Sequence, residues 1–309
     1  MSFKRSIAQK QYLCLLLLLI AALPIGCKQK PEKKGLSFKS ITGIGYTEVR
    51  RRLTNGLSFD NQGFEVEPSW KITFLDNDSA NVWSPDKQQF INFLVSADHD
   101  SIFNVARSWF RLQHMDKDSL KLQVLQVEGD TIYWLRSKVY MTLYANNYIK
   151  NAHINTAKVQ QFSRADTLFI KAKAEQSNKI IDSAFAATQP VQLKSISPNL
   201  SVRKTEVKAD MMNNFDASEG YLDPEYNITI YKAYQDFSYS FTVYVDDKGQ
   251  MHFKQSTNYI MPEFKDGTIR VIKGIIAGYL KAYMSVTPGS TLGIAHTSLI
   301  TLHVLGEKG

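Results

Sequence analysis

The stretch Ser238-Tyr239-Ser240-Phe241-Thr242-Val243-Tyr244-Val245-Asp246-Asp247-Lys248-Gly249 decides the fold of the last third of the chain. Apolar side chains alternate with Ser, Thr and Tyr from Ser238 to Val245, so one face is apolar and the other mostly hydroxyl-bearing. This period of two is typical of a half-buried strand. The residues Asp246–Gly249 predict a hairpin turn in which Gly249 takes a left-handed conformation, and Met251 and Phe253 lie on the returning strand.

The residues after this hairpin predict a helix and one more strand. From about Asp266 to Met284, apolar residues recur at helical spacing and form one stripe, which suits a helix that covers a sheet: Ile269, Ile272, Ile276, Tyr279, Leu280 and Tyr283. A last strand follows, and we take its alternate residues Ser298, Ile300, Leu302 and Val304 as a candidate edge strand. Residues 201–309 are therefore predicted to form an α+β domain of β-β-α-β order.

Residues 36–150 predict an antiparallel β-meander domain. Between Ser108 and Ala145, short runs of alternating apolar residues are separated by polar turns such as Asp116-Lys117-Asp118. Only antiparallel neighbours are joined by so few residues. Ser69–Phe74 alternates in the same way, whereas Ser84-Pro85-Asp86 predicts a helix start, with Ser as the N-cap. The pattern resembles the meander of lipocalins.

Residues 151–200 are more polar and predict a linker between the two domains. Within this linker, Thr167–Ile170 is predicted to form a strand and Ile180–Phe185 a helix. The segment ends at Thr188-Gln189-Pro190, where the proline interrupts helical pairing.

The N-terminus has the three parts of a secretory signal peptide over residues 1–26. Lys4, Arg5 and Lys10 precede an apolar run from Tyr12 to Leu23, and Gly26 stands before Cys27. A basic flank, a short apolar core and a small residue before the cleavage point define such a signal. The run is shorter than the roughly 20 apolar residues of a membrane-spanning helix.

The distribution of charge argues against nucleic-acid binding. Of the net charge of +8, three charges lie in the signal segment and a net +3 in Lys28–Gly35, which leaves +2 for the residues from Leu36 onward. A nucleic-acid-binding protein concentrates its basic residues on a folded face. Residues 27–35 are better interpreted as a basic tether that rests on anionic lipid headgroups.

No catalytic or metal-binding motif is evident, so the sequence predicts no enzyme activity, cofactor or metal. The two cysteines are Cys14 and Cys27, and the first leaves with the signal peptide, so the mature chain can form no intramolecular disulfide. His296 and His303 are seven residues apart and would point to opposite faces of one strand. The cluster Asp98-His99-Asp100 is typical of a solvated turn.

Two resemblances indicate location and mode of action. Leu23-Pro24-Ile25-Gly26-Cys27 resembles the lipobox of bacterial lipoproteins. This implies cleavage between Gly26 and Cys27, acylation of Cys27 with fatty acids such as palmitate, and an anchor that is most simply in the outer membrane, facing the periplasm. The order of elements from about Tyr226 to Leu305 resembles the C-terminal domain of TonB-type energy transducers, which implies binding of a partner strand at a sheet edge.

Three functions are consistent with these features. The first is a membrane-anchored envelope lipoprotein that acts as a protein-binding or assembly module. The second is a carrier of a small apolar ligand in the first domain, because Trp70, Trp83, Trp109 and Trp134 fall in or near its strands. The third is an envelope hydrolase whose triad or carboxylate pair is assembled from distant residues.

Overall fold

Alternating sequence segments form most of the strands in the computed structural model, which describes residues 35–209 and 216–309. Within it, Leu36–Gly309 belongs to one compact unit. The first eleven strands are β1 (Gly45–Leu53), β2 (Lys71–Phe74), β3 (Ser79–Ser84), β4 (Gln89–Leu94), β5 (Ser96–Ala97), β6 (Ile102–Val105), β7 (Ser108–Met115), β8 (Ser119–Leu125), β9 (Val127–Glu128), β10 (Thr131–Ile132) and β11 (Val139–Ala145).

Nine of these strands form one antiparallel sheet in the order β4-β3-β2-β1-β11-β8-β7-β6-β5, and β9 and β10 form a separate hairpin. The two edge strands are consecutive in the chain, because only Val95 separates β4 from β5. Consecutive Cα atoms are about 3.8 Å apart, so the two edges approach within about 8 Å at this point. The sheet therefore curls until its edges meet beside Val95.

The interior of the curled sheet is filled by side chains. Its core contains Tyr46, Ile72, Phe74, Val82, Phe103, Phe110, Leu120, Leu122, Met141 and Leu143, all buried. Phe38, from the segment before β1, stacks on Phe74 with ring centroids 4.0 Å apart and meets Phe103 edge-on at 5.0 Å. Such aromatic pairs add to the burial of apolar area in holding the core.

Three predictions about local structure were wrong. Ser84-Pro85-Asp86 does not begin a helix, because Pro85–Gln88 is the turn between β3 and β4, and Trp83 packs against Phe90 across that hairpin. Thr167–Ile170 is not a strand but part of a helix that begins with a capping box between Ser163 and Asp166. Ile180–Phe185 contains only a single 3-10 turn, Ile181–Ser183.

Helices precede and accompany the second half of the chain. They are α1 (Asn146–Asn151), α2 (Thr156–Gln160), α3 (Arg164–Lys179), α4 (Glu219–Leu222), α5 (Pro262–Ile275), which continues through one π-helical segment (Ile276–Leu280), and α6 (Lys281–Tyr283). The remaining strands are β12 (Gln192–Ser195), β13 (Leu200–Lys204), β14 (Glu225–Ala233), β15 (Phe237–Val245), β16 (Met251–Ser256), β17 (Met284–Thr287), β18 (Ser290–Thr291), β19 (Ile294–Ala295) and β20 (Ser298–Lys308). The predicted α+β class is confirmed, with β structure predominating.

A second sheet has the order β13-β14-β20-β15-β16 and is covered on one face by α5 and its continuation. The prediction that Ser298, Ile300, Leu302 and Val304 belong to an edge strand is wrong. Their strand, β20, lies in the centre, paired in parallel with β14 and antiparallel with β15. Ile300, Leu302 and Val304 pack in the core against the helix, with at most 1% of their surface exposed.

Gly306 shows how tightly β20 is packed. A Cβ added there would lie 2.4 to 2.7 Å from three ring atoms of Phe237 on β15, whereas a Cβ added to Gly274 in α5 meets nothing within 4 Å. Overpacking a core costs typically about 1–3 kcal/mol. We expect Gly306→Ala to lower the free energy of unfolding by this amount in urea titrations. Alanine has a helix propensity about 1 kcal/mol more favourable than that of glycine, so Gly274→Ala is expected to leave the free energy of unfolding unchanged or raise it. Equal effects of the two substitutions would contradict the close packing of Gly306 against Phe237.

In the part of the chain that the structure describes, no helix is both long and apolar enough to cross a membrane.

Candidate functional site

One face of the second sheet carries hydrogen-bonding side chains, and part of this face is open to solvent. The uncovered face, as we name it, is made by the exposed or half-buried residues that point away from α5 on four neighbouring strands: Ser201, Arg203, Glu225, Asn227, Thr229, Tyr231, Ser238, Ser240, His303, Leu305 and Glu307. It is part of the hydroxyl-bearing face that the alternation from Ser238 to Tyr244 predicts, and the strand register extends it to β13, β14 and β20. Thr242 and Tyr244 of that face are buried, and Tyr244 Oη donates to Asp182 Oδ1 at 2.9 Å.

A polar relay lies at the centre of the uncovered face. Ser240 and His303 are directly opposite on β15 and β20, and Ser240 Oγ is 2.8 Å from His303 Nδ1. Glu225 Oε2 is 3.7 Å from His303 Nε2, within ion-pairing distance when the imidazole is protonated. Serine, histidine and carboxylate thus come together in the order of a catalytic triad. Antiparallel ladders with β20 and β16 engage the backbone of β15 around Ser240, so among the described residues this arrangement has no evident oxyanion-binding donors.

The β15–β16 turn is fixed by Asp246. Its Oδ1 accepts hydrogen bonds from the backbone N–H of Lys248 at 2.9 Å and of Gln250 at 2.8 Å. Burial acts to raise the pKa of Asp246, but these N–H donors and the nearby His252 outweigh it and hold the pKa below its usual value. The carboxylate therefore stays ionised at neutral pH and keeps β16 in register with β15.

One of the two edges of this sheet is β16. On the side of β15, Asp246 N–H bonds to the Gln250 carbonyl and Thr257 N–H to the Ser240 carbonyl. Because hydrogen-bonded and non-hydrogen-bonded pairs alternate in antiparallel strands, the backbone groups of Met251 and Phe253 point away from β15. Among the described strands, none pairs with β16 on that side. The outer edge can therefore accept an added strand.

An exposed apolar segment follows β16 directly. Tyr259, Met261 and Phe264, which we call the apolar hook, are 85%, 55% and 62% exposed. Ser256 Oγ accepts from Asn258 N–H at 3.2 Å and ties the start of this segment to the end of the strand. Large exposed apolar side chains in close sequence mark interaction sites more often than single ones do.

A pair of carboxyl groups lies away from this sheet. The pKa of Glu65 is raised to about 7 by burial and by the carboxylate of Glu67, to which it is hydrogen bonded. The backbone N–H of Glu65 donates to Tyr221 Oη at 2.9 Å. A carboxyl that is half protonated near neutral pH can donate or accept a proton, so this is the arrangement closest to a carboxylate pair for acid–base chemistry. In the described residues, no group of three or more His, Cys, Asp or Glu side chains could hold a metal ion.

A cavity of about 250 Å³ lies where the edges of the first sheet meet. Apolar side chains of Leu36, Phe38 and Val95 line it together with polar groups of Lys39 and Asp76. The cavity is beside the core and not inside it, because the interior is occupied by the side chains of the first sheet.

The predicted site residues fall in different places. Gly26 and Cys27 lie outside the described residues, as does most of the predicted tether, and β20 is central as described above. The relay of Ser240, His303 and Glu225 was missed because their pairing depends on strand register across more than 60 residues. The exposed edge β16 was missed because the sequence does not show that β14 pairs with β20. An apolar run at Tyr259–Met261 without helical or strand periodicity was the one available signal.

No protein-family model matches the chain, and no curated protein matches it.

Proposed function

We propose that the protein is a lipid-anchored envelope lipoprotein that binds a partner protein by strand addition along β16. The single observation that carries the binding mode is the unpaired outer edge of β16, followed at once by the apolar hook. In strand addition, main-chain hydrogen bonds supply affinity and side-chain pockets supply specificity. The hook adds aromatic and methionine side chains, which are enriched where protein interfaces bury their core.

The proposed membrane anchor is the lipid on Cys27, at the end of the lipobox-like segment. One acyl chain gives only marginal membrane binding, so stable attachment needs two or more chains or a chain with basic residues. Lys28, Lys30, Lys33 and Lys34 directly after the cysteine supply such charge. The domain layout that we propose is a tether at 27–35, a β-rich domain at 36–150, a linker at 151–200 and an α+β domain at 201–309, most simply in the outer membrane facing the periplasm.

The binding mode resembles that of TonB-type domains but uses a different edge. In this chain β14 pairs in parallel with β20, so the last strand of the predicted β-β-α-β order already has a neighbour on each side. A partner strand can add only at the ends of the sheet, at β13 or β16. We favour β16 because the backbone groups of Met251 and Phe253 face outward beside the hook. The partner we expect is an extended segment of an envelope protein that carries apolar side chains.

Photo-crosslinking in cells tests this proposal. With p-benzoylphenylalanine in place of Tyr259 on the hook, ultraviolet light is expected to yield a discrete adduct with an envelope protein. The same replacement at Leu135, which is 88% exposed in the loop after β10, serves as the matched control and is expected to give no adduct of that mass. Both positions are exposed, so neither replacement disturbs a core.

A variant separates specific binding from proximity. Replacing Tyr259, Met261 and Phe264 with serine removes the hook but leaves β16 intact. With p-benzoylphenylalanine in place of Lys254 on β16, the yield of the adduct is expected to be at least tenfold lower in this variant than in the protein that keeps the hook. Equal adducts from Tyr259 and Leu135, or none from either, would contradict the proposal.

The carrier of a small apolar ligand is a second candidate, supported by the cavity at the meeting of β4 and β5. Its lining mixes apolar and charged groups, which suits an amphiphile better than a purely apolar molecule. Extraction of the purified protein with organic solvent, followed by mass spectrometry, would detect such a ligand. Protein prepared from its own envelope with no co-purifying molecule would remove this function.

A further inference from the structure

The outer face of the first sheet carries two rows of basic and neutral side chains. Residues directly opposite on paired strands lie on the same face of a sheet. Met141 and Leu122 are in the core, so the residues on either side of each point away from the interior. Across β1, β11, β8 and β7, the first row is Arg50, Thr142, Lys121 and His114, and the second is Arg52, Tyr140, Gln123 and Arg111. We call these two rows the basic face, because they contain four formal cations and no carboxylate.

Most of the basic face is exposed, and carboxylates lie only at its margins. Arg52 and Thr142 are half-buried, Gln123 is buried, and the other five residues are exposed. The nearby carboxylates are Asp116 and Asp118 in the β7–β8 turn, Glu128 and Asp130 in the β9–β10 hairpin, and the buried Asp166, which acts on Arg52. Asp116 is hydrogen bonded to His114, and Glu128 pairs with Arg136. Among the described residues, Arg50, Arg111 and Lys121 form no ion pair, so three exposed cations are available to a partner.

A hydrogen-bonded turn places two apolar side chains beside the basic face. Trp134 and Leu135, in the turn after β10, are 48% and 88% exposed. The turn is held on the sheet by a hydrogen bond of 2.8 Å from Gln123 Nε2 to the Ser137 carbonyl. Arg111 Cζ lies 5.5 Å from the centroid of the Trp134 ring. The exposed apolar pair is therefore continuous with the exposed cations.

This combination fits the surface of a bilayer that contains anionic headgroups. Arginine and lysine are attracted to such a surface, and tryptophan is enriched at the boundary between membrane and water. Leu135 has no hydrogen-bonding side-chain group and no ring that could stack on a base, so it suits acyl chains and not a nucleic acid. We propose that the basic face and the Trp134–Leu135 turn bind a bilayer containing anionic phospholipid.

The proposed lipid anchor would keep this surface within reach of a bilayer. Residues 27–35 span at most about 30 Å when fully extended, so a chain held by lipid on Cys27 stays close to the membrane. The inference rests on the proposed function only for this placement, because the contact itself is made by residues on the first sheet. Such a contact would restrict the orientation of the anchored protein.

Vesicle flotation tests the contact without the lipid anchor. The chain Lys28–Gly309, which cannot be acylated at Cys27, is mixed with vesicles of phosphatidylglycerol and phosphatidylethanolamine, or with vesicles of phosphatidylcholine alone. We expect binding to the first vesicles and at least tenfold weaker binding to the second. The double substitutions Trp134→Ser with Leu135→Ser, and Arg50→Gln with Lys121→Gln, are each expected to weaken binding to the anionic vesicles at least tenfold.

Matched controls change the same kinds of residue elsewhere. Ile196→Ser replaces an apolar side chain that is 63% exposed after β12, and Lys194→Gln with Lys281→Gln removes two exposed cations, so both are expected to bind as the wild type does. Melting temperatures show that each variant is folded. All of these chains keep the basic tether, so any binding by the tether is common to them.

Two results would overturn the inference. One is no binding to the anionic vesicles, or equal binding by the wild type and both double variants, which would leave the tether as the only contact. The other is tighter binding to a single-stranded oligonucleotide than to these vesicles, which would favour a nucleic acid. Cys27 acylation, β16 and the hook are tested by separate variants, so failure here is distinguishable from failure of the proposed function.

Discussion

Glu48→Ala is expected to lower the free energy of unfolding by about 3–5 kcal/mol, which is the usual cost of removing one partner of a buried ion pair. Glu48 lies at the bulge in β1, and its side chain is fully buried. Its oxygens accept from Arg51 Nε at 2.7 Å and Nη2 at 2.6 Å, and from the backbone N–H of Ser69 and Trp70 at 2.9 and 3.0 Å. Alanine would leave the guanidinium and both N–H groups without their acceptor.

Chemical denaturation at neutral pH measures this loss, and an exposed pair supplies the control. Arg136 Nη1 is 2.7 Å from Glu128 Oε1, with both side chains at least half exposed. Exposed pairs contribute about 0–1 kcal/mol, so Glu128→Ala is expected to change little. If both variants unfolded at the same urea concentration, Glu48 would not hold the bulge in the way described.

Acidification is expected to destabilise the protein through His296. The pKa of His296 is lowered to about 4, mainly by burial and also by the nearby Lys173, and the hydrogen bond to the Thr297 carbonyl only partly opposes them. The ring stacks on Phe185 with centroids 3.7 Å apart, and its Nε2 is 3.0 Å from Thr291 Oγ1. The fold therefore holds this imidazole neutral.

The direction of the pH effect depends on whether the folded or the unfolded state is protonated first as the pH falls. In the unfolded chain histidine has a pKa of about 6.5, so as the pH falls the unfolded state is protonated before the folded state. The contribution of His296 is complete above about pH 6.5 and is lost as the pH falls toward about 4. Between pH 7.5 and 5.0 this corresponds to about 2 kcal/mol.

Urea titrations at these two pH values check the effect. His296→Gln is expected to lower stability at pH 7.5 but to reduce its pH dependence by that amount. His99→Gln changes a side chain that is 63% exposed and should keep the dependence of the wild type. An unchanged pH dependence in His296→Gln would show that His296 is not held neutral by burial.

The strands could be predicted where alternation was strong. The segments around Phe110, Leu122 and Leu143 became β7, β8 and β11, and the Asp246–Gly249 turn joins β15 to β16. The helix after Pro262 has the expected apolar stripe, with Ile272, Ile276 and Leu280 in the core. These elements are set by local pattern and turn chemistry.

One error came from a local helix-start signal that was overlooked, and another from a strand partner that is distant in sequence. Thr167–Ile170 reads as a β-rich run, but the capping box at Ser163 and Asp166 starts a helix whose Ile170 and Ala174 are buried at a spacing of four. Asp166 also accepts from the backbone N–H of Ser58, 108 residues away, at 2.6 Å. The central place of β20 depends on β14, a parallel neighbour about 70 residues earlier. Alternation of apolar and polar residues indicates that a strand is half-buried, but it does not indicate which strand lies beside it in the sheet.

The relay on the uncovered face and the exposed hook are also products of tertiary structure. Ser240 and His303 meet because β15 and β20 pair in a particular register. The hook became visible only when Tyr259, Met261 and Phe264 proved to be uncovered by the rest of the compact unit. The proposed lipidation site at Cys27 is different, because its evidence is a sequence motif that does not depend on the fold.

The central claim is that Cys27 carries lipid and holds the protein at a membrane, where it meets its partner. The most direct test is the intact mass and cell fraction of the wild-type protein beside Cys27→Ala. We expect the wild type to begin at Cys27, to be heavier than its polypeptide by two or more acyl chains, and to sediment with the outer membrane, whereas Cys27→Ala lacks the added mass and the membrane association. A soluble, unmodified wild-type chain that begins near Lys28 would contradict the claim.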